Sequence, residues 1–324
     1  MMKDLIIFLA IFSMGLLPIN LPNTNGRIYL QKLNNPNISV DTGSIVTGPY
    51  RLRYRIEGRG IPTLVIGNSI YYPRIFSSTL RGHLRMVFID HRGFAPPPNR
   101  QVDTTDFPLD TLIEDMELVR KSLSLGRIAV IGHSGHAYMA LEYAKRYPQY
   151  VSHVIMIGIG STMDNANEIA AEQYWRDSAS SERKAVLEEN LRRFPDSLLA
   201  NLSPSERYIR DYVRYGAVCW YNPRFDSTPL WEDSNVNTDV MSYIWGQVFP
   251  RLDIKKGLDK FDRPVFLALG RFDFFIAPPS AWDPLRTKFK NLTIKVFEQS
   301  AHTPQYEQAE FFDKELLSWM GQYN

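Results

Sequence analysis

The chain carries one cysteine, Cys219, in 324 residues. An intramolecular disulfide framework is therefore excluded, and so is any metal site built from several thiolates. Charge of one sign is also missing. Thirty-seven Lys and Arg against thirty-five Asp and Glu leave a formal net charge of +2, which gives no electrostatic footprint for nucleic acid. There is no internal repeat. The apolar run Leu5–Leu17 covers thirteen residues, too short for an ordinary spanning helix, which needs about 20. What remains is ordinary globular material, 44% hydrophobic and 22% charged. Its length accommodates roughly two domains, or one large α/β domain with an insertion.

The apolar run follows Lys3 and ends at Pro18, the layout of a signal-peptide core. Residues 1–21 are expected to be a signal peptide or N-terminal anchor, so the protein is expected to be exported or held at a membrane by this segment alone. The competing reading packs the segment on the domain and leaves the protein cytoplasmic. Residues 22–42, rich in Asn and Pro, read as a linker.

Beyond the linker the pattern changes. Tyr50, Leu52, Tyr54 and Ile56 alternate with Arg51, Arg53, Arg55 and Glu57, which predicts a half-exposed antiparallel strand after a short strand at Gly43–Thr47. Thr63–Ile66, Met86–Ile89, Ile128–Ile131, Val154–Ile157 and Val265–Leu269 are short continuous apolar runs. Strands buried on both faces of a helix-covered parallel sheet read this way. Helical periodicity lies between them, from Leu109 to Leu123 with Asp110 or Thr111 as cap, and from His136 to Arg146. Residues 161–258 break the rhythm with helices and four of the six tryptophans. The alternation resumes with a strand at Leu292–Phe297, a helix at Trp282–Phe289 and a closing helix at Glu307–Met320. The expected fold is α/β, a mostly parallel sheet flanked by helices with an inserted helical cap. The core takes residues 43–160 and 259–324, and the cap residues 161–258.

One segment carries chemistry. Ile128–Ala137, IAVIGHSGHA, puts Ser134 between a buried strand and a helix, among small neighbours. A nucleophile elbow needs this context, because the sharp turn lifts the hydroxyl out of the sheet and the helix N-terminus faces it. A hydroxyl is a weak nucleophile and needs a base, and the base an orienting acid. Asp273 and His302 follow later strands, where the carboxyl ends of a parallel sheet gather ligands. His91 is a rival base, and Asp262 or Asp283 a rival acid. His133 and His136 have helical i, i+3 spacing without a third ligand, so no metal and no cofactor is expected.

On Phe88-Ile89-Asp90-His91-Arg92-Gly93, Gly132–Ala137, Gly270–Asp273 and Ser300-Ala301-His302, the chain resembles the α/β-hydrolase superfamily over about residues 43–320. Within it, the sequence looks most like the capped prolyl aminopeptidases (proline iminopeptidases). The resemblance implies Ser134 as nucleophile, His302 as general base and then acid, and Asp273 as orienting carboxylate. It implies an oxyanion hole from the Ser69 and Gly135 amides with Asn68 as side-chain donor, since Gly67-Asn68 stands where the family carries His-Gly. His136 replaces the small residue usual two positions after the nucleophile. In the cap, Trp220 and Trp231 are expected to enclose substrate, and Glu232, with Asp233 and Asp226 near it, to hold a free ammonium. The expected function is a serine hydrolase cleaving a small ester, amide or N-terminal aminoacyl bond, aminopeptidase-like activity leading over carboxylesterase or lactonase activity. Partners are small molecules or short peptides. The reading of another class is a non-catalytic ligand-binding protein on the same fold.

Overall fold

The computed structural model describes residues 40–96, 98 and 107–323. The expected signal or anchor at 1–21 lies outside the described residues. Eight strands form one sheet: β1 Val40–Thr47, β2 Tyr50–Glu57, β3 Ile61–Gly67, β4 Leu84–Asp90, β5 Ile128–His133, β6 Val151–Ile157, β7 Val265–Gly270 and β8 Leu292–Phe297. Their order is β1-β2-β4-β3-β5-β6-β7-β8. β2 runs antiparallel to both β1 and β4, and from β4 to β8 the pairing is parallel. β1 begins three residues inside the expected linker, at Val40.

The continuous apolar runs have a simple cause. Leu64, Ile66, Val87, Ile89 and Val130 enter one core, while Val65, Met86, Phe88, Ala129 and Ile131 enter the other. With side chains alternating and both faces covered, every position must be apolar. Each large side chain so buried stabilises the fold by about 1.5–3 kcal/mol before entropic costs.

The helices are α1 Tyr71–Ile75, α2 Leu109–Ser122, α3 His136–Arg146, α4 Asn165–Ser178, α5 Ser181–Arg193, α6 Asp196–Leu199, α7 Pro204–Arg214, α8 Gly216–Cys219, α9 Thr228–Trp231, α10 Thr238–Tyr243, α11 Asp283–Arg286, α12 Pro304–Glu307 and α13 Ala309–Gly321. α2 and α3 share the first core, and α13 packs in the second. No described residue between β6 and β7 is in a strand; that segment holds α4 to α10. Its longer helices start on side-chain caps, Asp164, Ser180 and Ser203, the last with Glu206 in a reciprocal capping box.

Several expectations are corrected. α2 starts on Pro108 without a side-chain cap, so neither Asp110 nor Thr111 serves. The helix expected at Trp282–Phe289 is only a 3₁₀ turn, Pro279–Trp282, followed by α11. Pro284 fits only a first helical turn, so no helix runs through it. The closing helix is interrupted at Gln308. Glu57, expected on the exposed face of β2, is buried against the buried Arg81. Arg92 is likewise buried and holds Asp115 through two hydrogen bonds at 2.7 and 3.0 Å, so it ties loop to helix α2.

Candidate active site

Ser134 is the single residue between β5 and the N-cap of α3, and its φ is +55°, a left-handed conformation that costs a non-glycine residue about 1–2 kcal/mol. Its backbone N–H donates to Ile157 O at 2.8 Å, which fixes the turn against β6. Gly132 is required two residues earlier: a Cβ there would lie 2.2 Å from His136 O. Gly135 faces Phe249 and Trp245 as closely, with a Cβ at 2.6 and 2.8 Å from their rings. At the start of α3 the Ala137 and Tyr138 N–H groups donate to Ser134 O and Gly135 O at 2.8 and 3.1 Å, which tightens the turn around Ser134.

Asp273 and His302 stand beyond the carboxyl ends of β7 and β8, both buried. Asp273 Oδ2 lies 2.8 Å from His302 Nδ1, and Oδ1 accepts the Phe275 N–H at 3.1 Å. The carboxylate holds the Nδ1–H tautomer, which leaves Nε2 as the free acceptor. That Nε2 is buried and has no hydrogen-bond partner, in a cavity that Ser134 also lines. The rivals are elsewhere. Asp262 is exposed and pairs with Arg263, and Asp283 is exposed at the start of α11.

The oxyanion side differs from expectation. The Ser69 N–H donates to Asp90 Oδ1 at 2.7 Å, and Asp90 is fully buried with its other oxygen on Arg53. Ser69 is thus not a free donor. Asn68 is better placed: its Oδ1 accepts from the Ile70 and Tyr71 N–H groups at 2.7 and 2.8 Å, which orients the amide. Its Nδ2 is buried and unpartnered, and the residue lines the cavity.

His136 finds room because Gly67 lacks a side chain; a Cβ there would lie 2.3 Å from the Tyr72 ring and 3.1 Å from His136 Cε1. A directed chain of hydrogen bonds results, and backbone groups fix its sense. The Gly93 N–H donates to His91 Nδ1 at 2.9 Å, so His91 is protonated on Nε2 and donates to His136 Nε2 at 2.9 Å. His136 then carries its hydrogen on Nδ1, 2.9 Å from Tyr72 Oη and 3.1 Å from His133 O. Tyr72 turns its hydroxyl towards His133 Nδ1 at 3.4 Å, and His133 Nε2–H donates to His302 O at 2.8 Å. Burial pushes His91 and His133 down to about 3 and His136 well below its usual value, so these imidazoles are neutral. Among the described residues no group of three His, Cys, Asp or Glu side chains could hold a metal ion.

The cavity together with the solvent at its mouth spans about 570 Å³. Trp220 and Trp231 line it, joined by Tyr208, Tyr212, Met241 and Trp245 from the segment between β6 and β7. Glu232 does not: it is exposed, and Arg74 reaches only its backbone carbonyl. Asp233 is exposed too, and Asp226 lines a separate surface cavity. Among the described residues, no Asp, Glu, Lys or Arg lines the main cavity. Tyr72, Tyr208 and Tyr212 escaped sequence reasoning. The one available signal was Tyr208 and Tyr212 at i, i+4 on a recognised helix.

A parallel sheet with a strained serine between strand and helix, and an aspartate–histidine pair beyond two later strands, defines a class of protein. Residues 60–309 match the alpha/beta hydrolase fold family, and the chain belongs to it. It is 36% identical over 273 residues to the AB hydrolase superfamily protein YclE of Bacillus subtilis, covering 84% of this chain and 96% of that one. It is 23% identical over 283 residues to a proline iminopeptidase of Heyndrickxia coagulans, covering 82% and 91%. An alpha/beta fold family hydrolase from Bacillus anthracis superposes with a TM-score of 0.62 at 18% identity, covering 85% and 97%, a likeness of fold.

Proposed function

We propose that the protein is a serine hydrolase acting on small, uncharged, partly apolar esters or lactones through an acyl-enzyme on Ser134. The observation that carries this reading is the buried, unpartnered His302 Nε2, held by Asp273 in the cavity that Ser134 lines. In the proposed reaction His302 takes the Ser134 proton as the hydroxyl attacks the carbonyl carbon. The Gly135 N–H and Asn68 Nδ2 stabilise the oxyanion, and His302 returns the proton to the leaving alcohol. Water then releases the acid by the same steps. A serine in place of a carboxylate argues against an alkyl-enzyme ester of the kind epoxide opening uses.

The substrate class follows from the lining. A bound ammonium in an apolar site needs a carboxylate beside it, and the described residues that line this cavity offer none. Aromatic rings instead suit an uncharged acyl group. Aminoacyl hydrolysis stands second, supported by the similarity to a proline iminopeptidase.

A fluorophosphonate is expected to label Ser134, and Ser134→Ala to lower activity by about 10³-fold or more. p-Nitrophenyl butyrate is expected to be cleaved with higher kcat/KM than prolyl-naphthylamide. The opposite order, together with loss on N-acetylation, would establish the aminopeptidase reading. Tight ligand binding without labelling or turnover would establish the non-catalytic one. For residues 1–21 we propose export or membrane anchoring; a cytoplasmic protein beginning at Met1 would overturn it.

A further inference from the structure

The carboxylate of Glu307, five residues past His302, takes part in none of these steps, yet three backbone N–H groups point at it. Its Oε2 accepts from Ala301 at 2.8 Å and from Thr303 at 3.3 Å, the two residues that flank His302. Its Oε1 accepts from Tyr221, which lies in the segment between β6 and β7. The neighbouring Gln308 side chain holds the same loop further back, accepting from the Gln299 N–H at 2.9 Å and the Ser300 hydroxyl at 3.0 Å.

Tyr221 ends a short stretch that threads between the two loops bearing Asp273 and His302. Val218 O accepts from Phe274 N at 3.2 Å, and Cys219 O from His302 N at 2.9 Å. From the other side Arg183 donates to Ala217 O, Trp220 O and Tyr221 O at 2.7, 2.6 and 2.6 Å. Cys219 and Trp220 are themselves wall of the cavity. The substrate-facing wall and the loop carrying the imidazole thus share one acceptor.

We infer that Glu307 is a positioning residue whose ionised carboxylate clamps the His302 loop to the Val218–Tyr221 wall, so that a change in the wall reaches the imidazole. The inference rests on the serine-hydrolase reading for its effect on rate, but the clamp itself is a matter of geometry. Protonation weakens it, because one acceptor oxygen becomes a donor facing an N–H. Burial pushes Glu307 up to about 7, although its three N–H donors oppose this and Asp273 adds to it. The side chains that act on it are Asp273 beyond β7, Arg183 on α5, Cys219 on α8 and Tyr71 on α1, while His302 lies between the two residues whose N–H groups it accepts. Cys219 and Tyr71 are neutral, because burial holds both above their usual range. Arg183 and Asp273 are the remaining ionisable side chains among those that act on it.

The test combines hydrogen exchange with kinetics on the full protein. In Glu307→Gln, exchange at residues 218–222 and 299–304 is expected to rise together by about tenfold or more, and kcat on p-nitrophenyl butyrate to fall by about 10–100-fold with KM changed less. In the unsubstituted protein both segments should lose protection together between pH 8 and 6, after correction for intrinsic exchange, and Glu307→Gln should abolish that pH dependence. Tyr221→Pro removes the wall-side donor, with Tyr221→Leu as the control for loss of the ring packed on Phe272, and serves if the first variant fails to fold. Its expected effect is faster exchange in the distant 299–304 segment. Unchanged protection there in Tyr221→Pro, or unchanged kcat in Glu307→Gln, overturns the inference. Fluorophosphonate labelling of the unsubstituted protein reports separately on the hydrolase reading, so failure of one is not mistaken for failure of the other.

Discussion

Asn68 shows how one side chain can divide its two ends between structure and chemistry. Its oxygen closes the turn into α1 by accepting two N–H groups, and this leaves the amide nitrogen unpartnered beside the cavity. A buried donor without a partner costs about 1–3 kcal/mol, which is tolerable where a developing negative charge supplies the partner. Asn68→Asp keeps the acceptor and deletes the donor. Its kcat is expected to fall by about 10²–10³-fold with KM within about threefold, measured on p-nitrophenyl butyrate. A loss of less than about threefold would remove Asn68 from the oxyanion site. Ser69 was expected from sequence alongside Asn68 and Gly135, and Asp90 explains why its N–H is not free. The amide has a carboxylate partner 21 positions away in the chain, and no local pattern announces such a pairing.

At the scale of elements, the junction of β5 and α3 depends on close approach. A Cβ on Gly132 would meet backbone, His136 O at 2.2 Å, and backbone cannot rotate aside as a side chain can. Gly132→Ala is expected to push α3 off the sheet at a cost of about 1–3 kcal/mol or more, read as a fall of several degrees in Tm with loss of Ser134 labelling. An unchanged Tm would show that α3 can shift freely. The strands here were legible because burial on both faces forces runs such as Ile128–Ile131 to be wholly apolar. The positions of Ser134 and Asp273 were legible because each follows such a run, and that of His302 because it follows the strand Leu292–Phe297. The short helices α8, α9 and α10 were not, being four to six residues long and without room for a periodic stripe. Glu232 failed for a related reason. Proximity to Trp231 in sequence says nothing about direction where no periodic element fixes the face, and the chain turns Glu232 outward just after Trp231 enters the cavity wall.

For the whole molecule, the notable electrostatic feature is the set of imidazoles kept neutral in the floor of the site. His91 and His133 are pushed down to about 3 by burial, and His136 well below its ordinary value by burial and its two imidazole neighbours. Unfolded, each would titrate near 6.5. Between those limits the unfolded chain binds more protons than the folded one, so these groups make stability rise with pH and fall as pH drops. Two buried carboxyls act oppositely: burial raises Glu307 to about 7 and Asp313 to about 6, so the folded state holds their protons longer. Their contribution to stability falls as pH rises through roughly 4 to 7, and there it offsets the histidines. Below about pH 4.5 both carboxyls become protonated in either state and the offset fades, while the imidazoles still resist protonation. The expected outcome is a gentle loss of stability from pH 7 to 5.5, roughly 1 kcal/mol per pH unit or about one proton, because two carboxyls offset only part of three imidazoles. A steep loss follows below 4.5, on the order of 2–4 kcal/mol per pH unit from two to three protons. Chemical unfolding from pH 3.5 to 8 measures the slope directly. Glu307→Gln should remove its share of the offset and steepen the dependence between pH 5 and 7, where the unsubstituted protein has only a gentle slope. A slope below one proton at pH 4 would mean that the imidazoles of the site are not held neutral in the folded state.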